Sequence, residues 1–462
     1  MISTMKQLRV SPYLLVMLSF AFCMLFGGFL LTLPIAQKSG EWGNYADSLF
    51  MATSAVCVTG FDCYPNGLVN TVTLFGQIVE AVLMQIGGLG FLTVLIFIVT
   101  LFRRKVTFRD RYFLSQATNS SDISHVVGFV RKLFLATIII EVIGFLIGIP
   151  AFITLYGNTW EAYWGSAFLA ISSFNNAGLD LFGVTSFIRE GNELLTGMPD
   201  WAYYYMLSYS MLFIVLGGIS YLVIFEVFSF QKKPHQWSAF TKICLWMAFV
   251  LIIGGALLIF ITDGIIKDGP KMNFFDALFL SVSSRTAGFA SYDPYALSAG
   301  GRIVSWVLMF IGGSPLGTAS GIKTTTLFII LLSIYSYIRG RKVKAFNRFY
   351  SQTLVVRAMA VMLSSIFIVV FGYLLLSEFE SSTNPYFTGE RAVYETISAF
   401  STTGFTTGMT VNLSVGGKIT CVVLMYLGRL GPMTLVQVFS RNMHIEDDSK
   451  HVKYVEEDVL IG

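Results

Sequence analysis

Long apolar runs alternate with short ones along the chain. Eight runs, near residues 11–35, 70–102, 131–156, 202–230, 240–262, 302–338, 353–378 and 415–440, can each span a bilayer as a helix, which takes about 20 residues. Four shorter runs sit between members of pairs, near 45–56, 160–173, 272–284 and 390–401. At about 12 residues each they cannot cross, and they read as core or re-entrant helices. The pattern predicts an all-α polytopic membrane protein.

The short runs end in related strings: Cys57-Val58-Thr59-Gly60-Phe61-Asp62, Asn175-Asn176-Ala177-Gly178-Leu179-Asp180, Arg285-Thr286-Ala287-Gly288-Phe289 and Thr402-Thr403-Gly404-Phe405. Their glycines lie 118, 110 and 116 residues apart. A second glycine cluster follows each, halfway along the later long run: Gly87 to Gly90, Gly217-Gly218, Gly312-Gly313 and Gly428 to Gly431. Four copies at near-constant period indicate an internal repeat. Each copy reads as spanning helix, half-helix, glycine loop, and spanning helix with a weak middle. The expected units are 1–102, 103–230, 231–344 and 345–440, with a tail at 441–462. Two crossings per copy give all copies the same orientation, which suits packing about an axis along the membrane normal. Inverted repeats, common among alternating-access carriers, need a different parity.

Composition agrees with a membrane protein. Of 462 residues 55% are hydrophobic and 13% charged, a balance that excludes an ordinary soluble enzyme, a disordered chain and a basic nucleic-acid binder. The net charge of +4 matters less than its placement. Segments 103–111, 131–132, 231–242 and 339–357, with both termini, hold 21 of the 31 Lys and Arg. The intervening loops carry acids, among them Glu41, Asp47, Glu190, Glu193, Asp263 and Glu380. The positive-inside rule then places both termini in the cytoplasm, in a cytoplasmic (inner) membrane. The first run lacks a convincing cleavage site and reads as a retained helix. Cys23, Cys57, Cys63, Cys244 and Cys421 have no zinc spacing and read as buried small hydrophobes rather than a Cys57–Cys63 disulfide. The four histidines fall between or after the apolar runs, so no transition metal is expected.

Extended backbone at membrane depth is tolerated only where protein buries it or it lines a watery path. Four such loops on one axis would present rings of carbonyl oxygens, which can replace the hydration shell of a monovalent cation. Glycine permits the positive φ that turns a carbonyl inward. The half-helices would aim their negative C-terminal ends at the same place. Asp62 and Asp180, two residues beyond their glycines, would concentrate cations at an outer mouth.

These strings resemble the Trk/Ktr/HKT superfamily of potassium transporters, most closely its KtrB-type membrane subunits, over nearly the whole chain. The resemblance implies four helix–pore loop–helix units around a central pore. Gly60, Gly178, Gly288 and Gly404 match the family's filter glycines. The preceding stretches match its ion-coordinating segments: Cys57, Val58 and Thr59; Asn175, Asn176 and Ala177; Arg285, Thr286 and Ala287; Ser401, Thr402 and Thr403. Glycine rather than serine at position 60 implies a preference for K⁺, with Na⁺ as a further transported or activating ion. Arg285 reads as a brace pointing away from the axis, held by carbonyls or acids behind the loop.

The third copy departs most from the pattern. Gly312, Gly313, Ser314, Pro315, Gly317, Thr318, Ser320, Gly321 and Lys323 interrupt a long apolar run. Proline removes a backbone donor and glycine disfavours helix, so an intramembrane loop is expected, with a kinked helix as the alternative. Aligning the four clusters puts Gly88, Gly218 and Gly313 in one column, where the fourth copy has Arg429. An intramembrane charge is costly and usually functional. Arg429 is expected beneath the glycine loops, beside the 312–324 loop, as an electrostatic barrier. The family's gate lies at the matching loop and arginine. Lys323 either assists or snorkels to the cytoplasmic side.

Glu80 and Glu141 could pair with loop backbone or with Arg285. No nucleotide-binding fingerprint is present, so the chain is not expected to hydrolyse ATP unaided. With no histidine at membrane depth to serve a nucleophile or a metal, it is not expected to be an enzyme, and no cofactor is expected. By resemblance the partners are a second copy in a homodimer and a cytosolic ring of nucleotide-binding, KtrA-type regulatory subunits. The basic loops 103–111 and 339–348 would dock that ring or face anionic membrane lipid. An alternating-access cation symporter is the alternative reading.

Overall fold

The computed structural model describes residues 12–90, 126–183, 186–229, 233–267 and 271–431. The basic loop 103–111, both termini, the last parts of the runs at 70–102 and 415–440, and the tail 441–462 lie outside the described residues.

The first copy comprises α1 (Pro12–Thr32), half-helix α2 (Tyr45–Cys57) and α3 (Leu74–Leu89). The second has α4 (Val126–Tyr156), half-helix α5 (Trp160–Asn175), α6 (Asp200–Gly218) and α7 (Tyr221–Phe228). The third has α8 (Ala239–Ile259), extended by a π-helical turn over Phe260–Ile266, half-helix α9 (Phe274–Ser283), α10 (Ala299–Phe310) and α11 (Thr324–Ile338). A basic hairpin, β1 (Lys344–Ala345) with β2 (Arg348–Phe349), leads to the fourth copy. That copy has α12 (Gln352–Glu380), half-helix α13 (Gly389–Ser401) and α14 (Val415–Leu430).

The first helix of each copy is long enough to cross a membrane on its own. Two later runs are not the single spans their hydropathy suggests. The run at 202–230 bends by 103° between α6 and α7. The run at 302–338 opens into a non-helical loop between α10 and α11. Apolar composition alone does not register these breaks; glycine pairs and Pro315 do.

Half-helices α2, α9 and α13 start on Asn44, Asn273 and Thr388, whose side chains accept from Ala46, Asp276 and Arg391 backbone N–H groups. We call the face on which the half-helices begin the upper face. Consecutive copies meet there, between the first turn of an inner helix and the first turn of the next half-helix. Gln77 Oε1 accepts from Trp164 Nε1 at 2.7 Å between copies 1 and 2. The rings of Tyr204 and Phe275 meet edge-on at 5.2 Å between copies 2 and 3. Arg302 pairs with Glu390 at 2.6 Å between copies 3 and 4. Lys418 pairs with Asp47 at 2.5 Å and closes copy 4 onto copy 1. Gln77, Arg302 and Lys418 each stand four residues after the N-cap residue of their helix, Thr73, Ser298 and Ser414. The seam is therefore a repeated position with varied chemistry.

Two acids read as belonging to intervening loops lie instead at helix ends and are fully buried. Asp263 accepts from the Ser298 backbone N at 2.6 Å and Ser298 Oγ at 3.0 Å. Glu380 accepts from Ser414 N at 3.0 Å and Ser414 Oγ at 2.6 Å. Each ties the upper end of an outer helix to the N-cap of the inner helix of its own copy. Sequence reading treats them as topology markers because it cannot see that both carboxylates face a cap serine.

Glu380→Ala would leave the Ser414 N–H and hydroxyl without their buried acceptor. A loss of about 1–3 kcal/mol is expected, read as a lower thermal unfolding midpoint of the purified protein in detergent.

Candidate functional site

Each half-helix ends in a left-handed turn of the same form. Val58 and Gly60 have φ of 58° and 93°, Asn176 and Gly178 57° and 70°, Thr286 and Gly288 70° and 80°, Thr402 and Gly404 52° and 89°. Positive φ is rare for Val and Thr and persists only when surroundings hold it. Here backbone bonds hold it: Thr59 N, Ala177 N and Thr403 N donate to Ser54 O, Ser172 O and Ser398 O at 2.7, 2.8 and 2.9 Å. These Schellman-type closures satisfy carbonyls that a helix end would otherwise leave free.

The four loops close into a ring. A side chain on Gly60 would strike the Ala177 carbonyl oxygen, one on Gly178 the Ala287 oxygen, one on Gly288 the Thr403 oxygen and one on Gly404 the Thr59 oxygen. The contact is cyclic and runs through all four copies in chain order. Every carbonyl involved belongs to the residue just before a glycine. Buried side-chain oxygens without a protein partner cluster in the same loops: Thr59, Thr286 and Thr402 Oγ1, and Asn175 Oδ1. Buried polar atoms are normally satisfied by protein or water; Ser172, Ser173 and Ser398 Oγ at the half-helix ends likewise have no protein partner.

Two features of the loops differ from expectation. First, the third loop is one residue shorter. Ser54 Oγ donates to Phe61 O at 2.8 Å across seven residues, whereas Ser283 Oγ donates to Phe289 O at 2.6 Å across six. The missing residue lies between Ser283 and the turn, so Thr286 and Ala287 still match the positive-φ and carbonyl positions of the other loops when counted from the glycine. Second, Arg285 is buried, yet no hydrogen bond or ion pair holds its side chain among the described residues, and Nε lacks a partner. The brace expected behind this loop is absent there. Glu141 instead contacts Gln85 and Asn175, and both Glu80 oxygens are buried without a partner.

Above the ring lies a cavity of about 410 Å³ whose wall includes all four glycines. Asp62 and Asp180 line it, but both are engaged. Asp62 accepts from Tyr64 N at 2.8 Å and Leu68 N at 2.7 Å; Asp180 accepts from Phe182 N at 3.0 Å and Ser186 Oγ at 2.6 Å. They shape the returning loops. In the fourth copy Glu395 does this from within the half-helix, accepting from Thr406, Thr407 and Thr410. Sequence reading missed Glu395, and also the serine repeated before each glycine: Ser54, Ser172, Ser283 and Ser398. The serine column stands in the sequence a few residues upstream of the four strings.

Below the ring, glycines again set the distance. A side chain on Gly87, Gly217 or Gly428 would collide with the carbonyl oxygen of Val56, Phe174 or Phe400, the penultimate residue of that copy's half-helix. The third copy breaks this rule: its Gly312 faces Ser320 O of its own loop. That loop, Ile311 to Lys323, docks on the bend of copy 2. Ser314 N donates to Gly218 O and Thr318 N to Gly217 O, both at 3.0 Å, and Tyr221 N donates to Leu316 O at 3.2 Å. Thr318 Oγ1 reaches Phe174 O at 3.2 Å. Lys323 Nζ turns back to Ala319 O at 2.6 Å instead of snorkelling.

Arg429 bridges this loop to copy 1. Its Nη1 donates to Thr318 O and, at 3.0 Å, to Ser320 Oγ; its Nη2 donates to Gly87 O at 2.5 Å and Gly88 O at 3.4 Å. One guanidinium thus joins copies 1, 3 and 4 beneath the ring. The five cysteines are buried free thiols, with Cys57 against Met24.

The sequence profile of the TrkH family, described as cation transport protein, matches residues 22–450. The chain belongs to this family. It is 34% identical to the potassium/sodium uptake protein NtpJ of Enterococcus hirae, covering 98% of each chain. It is also 34% identical to the Ktr system potassium uptake protein B of Bacillus subtilis, over 99% of this chain and 98% of that one. In fold it is similar to the potassium transporter TrkH of Vibrio parahaemolyticus, with a TM-score of 0.70 at 16% identity, over 95% of this chain and 87% of that one. TrkH membership makes the protein a multi-pass cation transporter rather than an enzyme.

Gly428→Ala would push a methyl group onto the Phe400 carbonyl and separate α14 from half-helix α13. Overpacking of about 1–3 kcal/mol is expected, seen as a lower unfolding midpoint together with reduced cation flux in proteoliposomes. Gly254→Ala, which meets open space, should change neither.

Proposed function

We propose that this chain is the ion-translocating subunit of a potassium uptake system of the Ktr type, passing K⁺ through a carbonyl-lined filter at Gly60, Gly178, Gly288 and Gly404. The observation that carries the reading is the cyclic glycine–carbonyl contact. A ring of main-chain oxygens, fed by four half-helix C-termini, suits a dehydrated monovalent cation and disfavours an anion. The unpartnered Thr and Asn oxygens in the same loops support it. So do the names of the two relatives, which carry potassium in both cases and sodium in one.

Arg429 and the Ile311–Lys323 loop form the gate in this reading. The loop lies under the filter with its carbonyls held by a cation. A fixed positive charge there raises the energy of a passing K⁺, and its hydrogen bonds keep the loop in place. Opening requires the Thr318 and Gly87 contacts to break together. The upper face is extracellular, and the four repeat units are the sequence-defined ones.

The B. subtilis relative is named as a component of a system, and this chain likewise works with a cytosolic nucleotide-binding ring as a homodimer. The hairpin at β1–β2 offers that ring Arg341, Lys342, Lys344 and Arg348 on the cytoplasmic side, next to exposed Phe349.

The reading is tested by Rb⁺ and K⁺ uptake in a bacterium lacking its own potassium uptake, with Na⁺ present or omitted. Wild type should restore uptake, and Na⁺ should raise it. Gly60→Ser forces a side chain into a positive-φ site and against Ala177 O; about tenfold lower K⁺ uptake and weaker discrimination against Na⁺ are expected. Arg429→Ala should raise flux measured without the cytosolic partner. Unchanged flux at matched membrane levels would refute the gate.

A further inference from the structure

Asn175 is the last residue of half-helix α5, and its side-chain amide is surrounded on one side by acceptors alone. Its Nδ2 lies 2.9 Å from Gln85 Oε1, 2.9 Å from Glu141 Oε1 and 2.9 Å from Ile171 O. Gln85 Nε2 donates in turn to Glu141 Oε2 at 3.1 Å. Carboxylate and two amides form a closed triangle that joins α4 and α5 of copy 2 to α3 of copy 1. A carboxylate only accepts, and an amide has one donating and one accepting end. Glu141 therefore fixes which end of Asn175 faces it. The other end, Oδ1, is forced away. It sits where a side chain on Gly88 would stand, is buried, and has no protein partner. Gly88 is also a residue whose carbonyl Arg429 reaches. Thus Oδ1 lies at the level between the glycine ring and the 311–323 loop.

We propose that Asn175 Oδ1 is a side-chain ligand for a partly hydrated monovalent cation below the ring, and that Glu141 is the positioning residue that aims it. The proposal rests on the reading of the ring as a cation path. Columns aligned with Asn175 in the other copies hold Cys57, Arg285 and Ser401, so the site is one-sided, carried by copy 2. An acid in the middle of a spanning helix, expensive in itself, thereby has a role that packing does not explain.

The test is Rb⁺ uptake into proteoliposomes of the full chain, with Na⁺ as competitor, at matched protein content. In Glu141→Gln an amide nitrogen confronts either Asn175 Nδ2 or Gln85 Nε2, and the Asn175 amide loses its fixed sense. The KM for Rb⁺ should rise about fivefold, with weaker discrimination against Na⁺ and little change in maximal rate. Asn175→Ala should do the same, and the double variant should be no worse than Asn175→Ala. Glu141→Asp should recover part of the affinity. Additive effects, or a wild-type KM in Glu141→Gln, would overturn the proposal. If Glu141→Gln does not reach the membrane, Gln85→Leu breaks the same triangle and takes its place in the cycle. Wild type that carries no Rb⁺ would defeat the K⁺ reading itself; wild-type flux with an indifferent Glu141→Gln would defeat only this inference.

Discussion

Four loops can meet on one axis only where the backbone carries nothing larger than hydrogen at the points of contact. That constraint operates twice here, in two layers. Gly60, Gly178, Gly288 and Gly404 let neighbouring loops touch through their carbonyls. Gly87, Gly217 and Gly428 let each half-helix end rest on the inner helix of its own copy. The left-handed turns at Val58, Asn176, Thr286 and Thr402 follow, because the chain must reverse within two residues to reach its neighbour. Everything wider in the molecule, from the long outer helices to the seams, serves to keep these approaches short.

Quasi-symmetry is kept by the main chain at the four glycines and relaxed elsewhere: the third loop is one residue shorter, and the side chains differ from copy to copy. The ring needs four equal main-chain segments, but the surrounding shell needs only that each be held. Copy 1 holds its returning loop with Asp62, copy 2 with Asp180, and copy 4 with Glu395 from inside the half-helix. The proposed gate uses the asymmetry outright. Copy 3 supplies the loop, copy 2 the bend on which it rests, and copies 4 and 1 the guanidinium and the carbonyls it joins.

The repeat, the half-helices and the intramembrane loop were legible because each leaves a local mark: length of an apolar run, a glycine at fixed period, a proline among glycines. Arg429 was legible because one charged side chain broke a column of glycines. Other features depend on distances that sequence does not carry. Asp263 and Glu380 look like ordinary loop acids until their cap serines are seen. The one-residue shortening before Gly288 hides because Ser283 and Ser54 differ in offset, not in identity. Arg285 looked like a brace because a buried cation normally finds an acid, and here no such acid stands against it among the described residues.

The seams between copies have a further bearing on the fourth copy. On the upper face it is joined to both neighbours by ion pairs, Arg302 to Glu390 and Lys418 to Asp47, while the first three copies are linked there by an indole–amide bond and by rings meeting edge to face. Screening by dissolved electrolyte weakens the former and leaves the latter. The quarter of the molecule that bears Arg429 is thus the one whose upper-face seams answer to the ionic strength of the medium bathing that face.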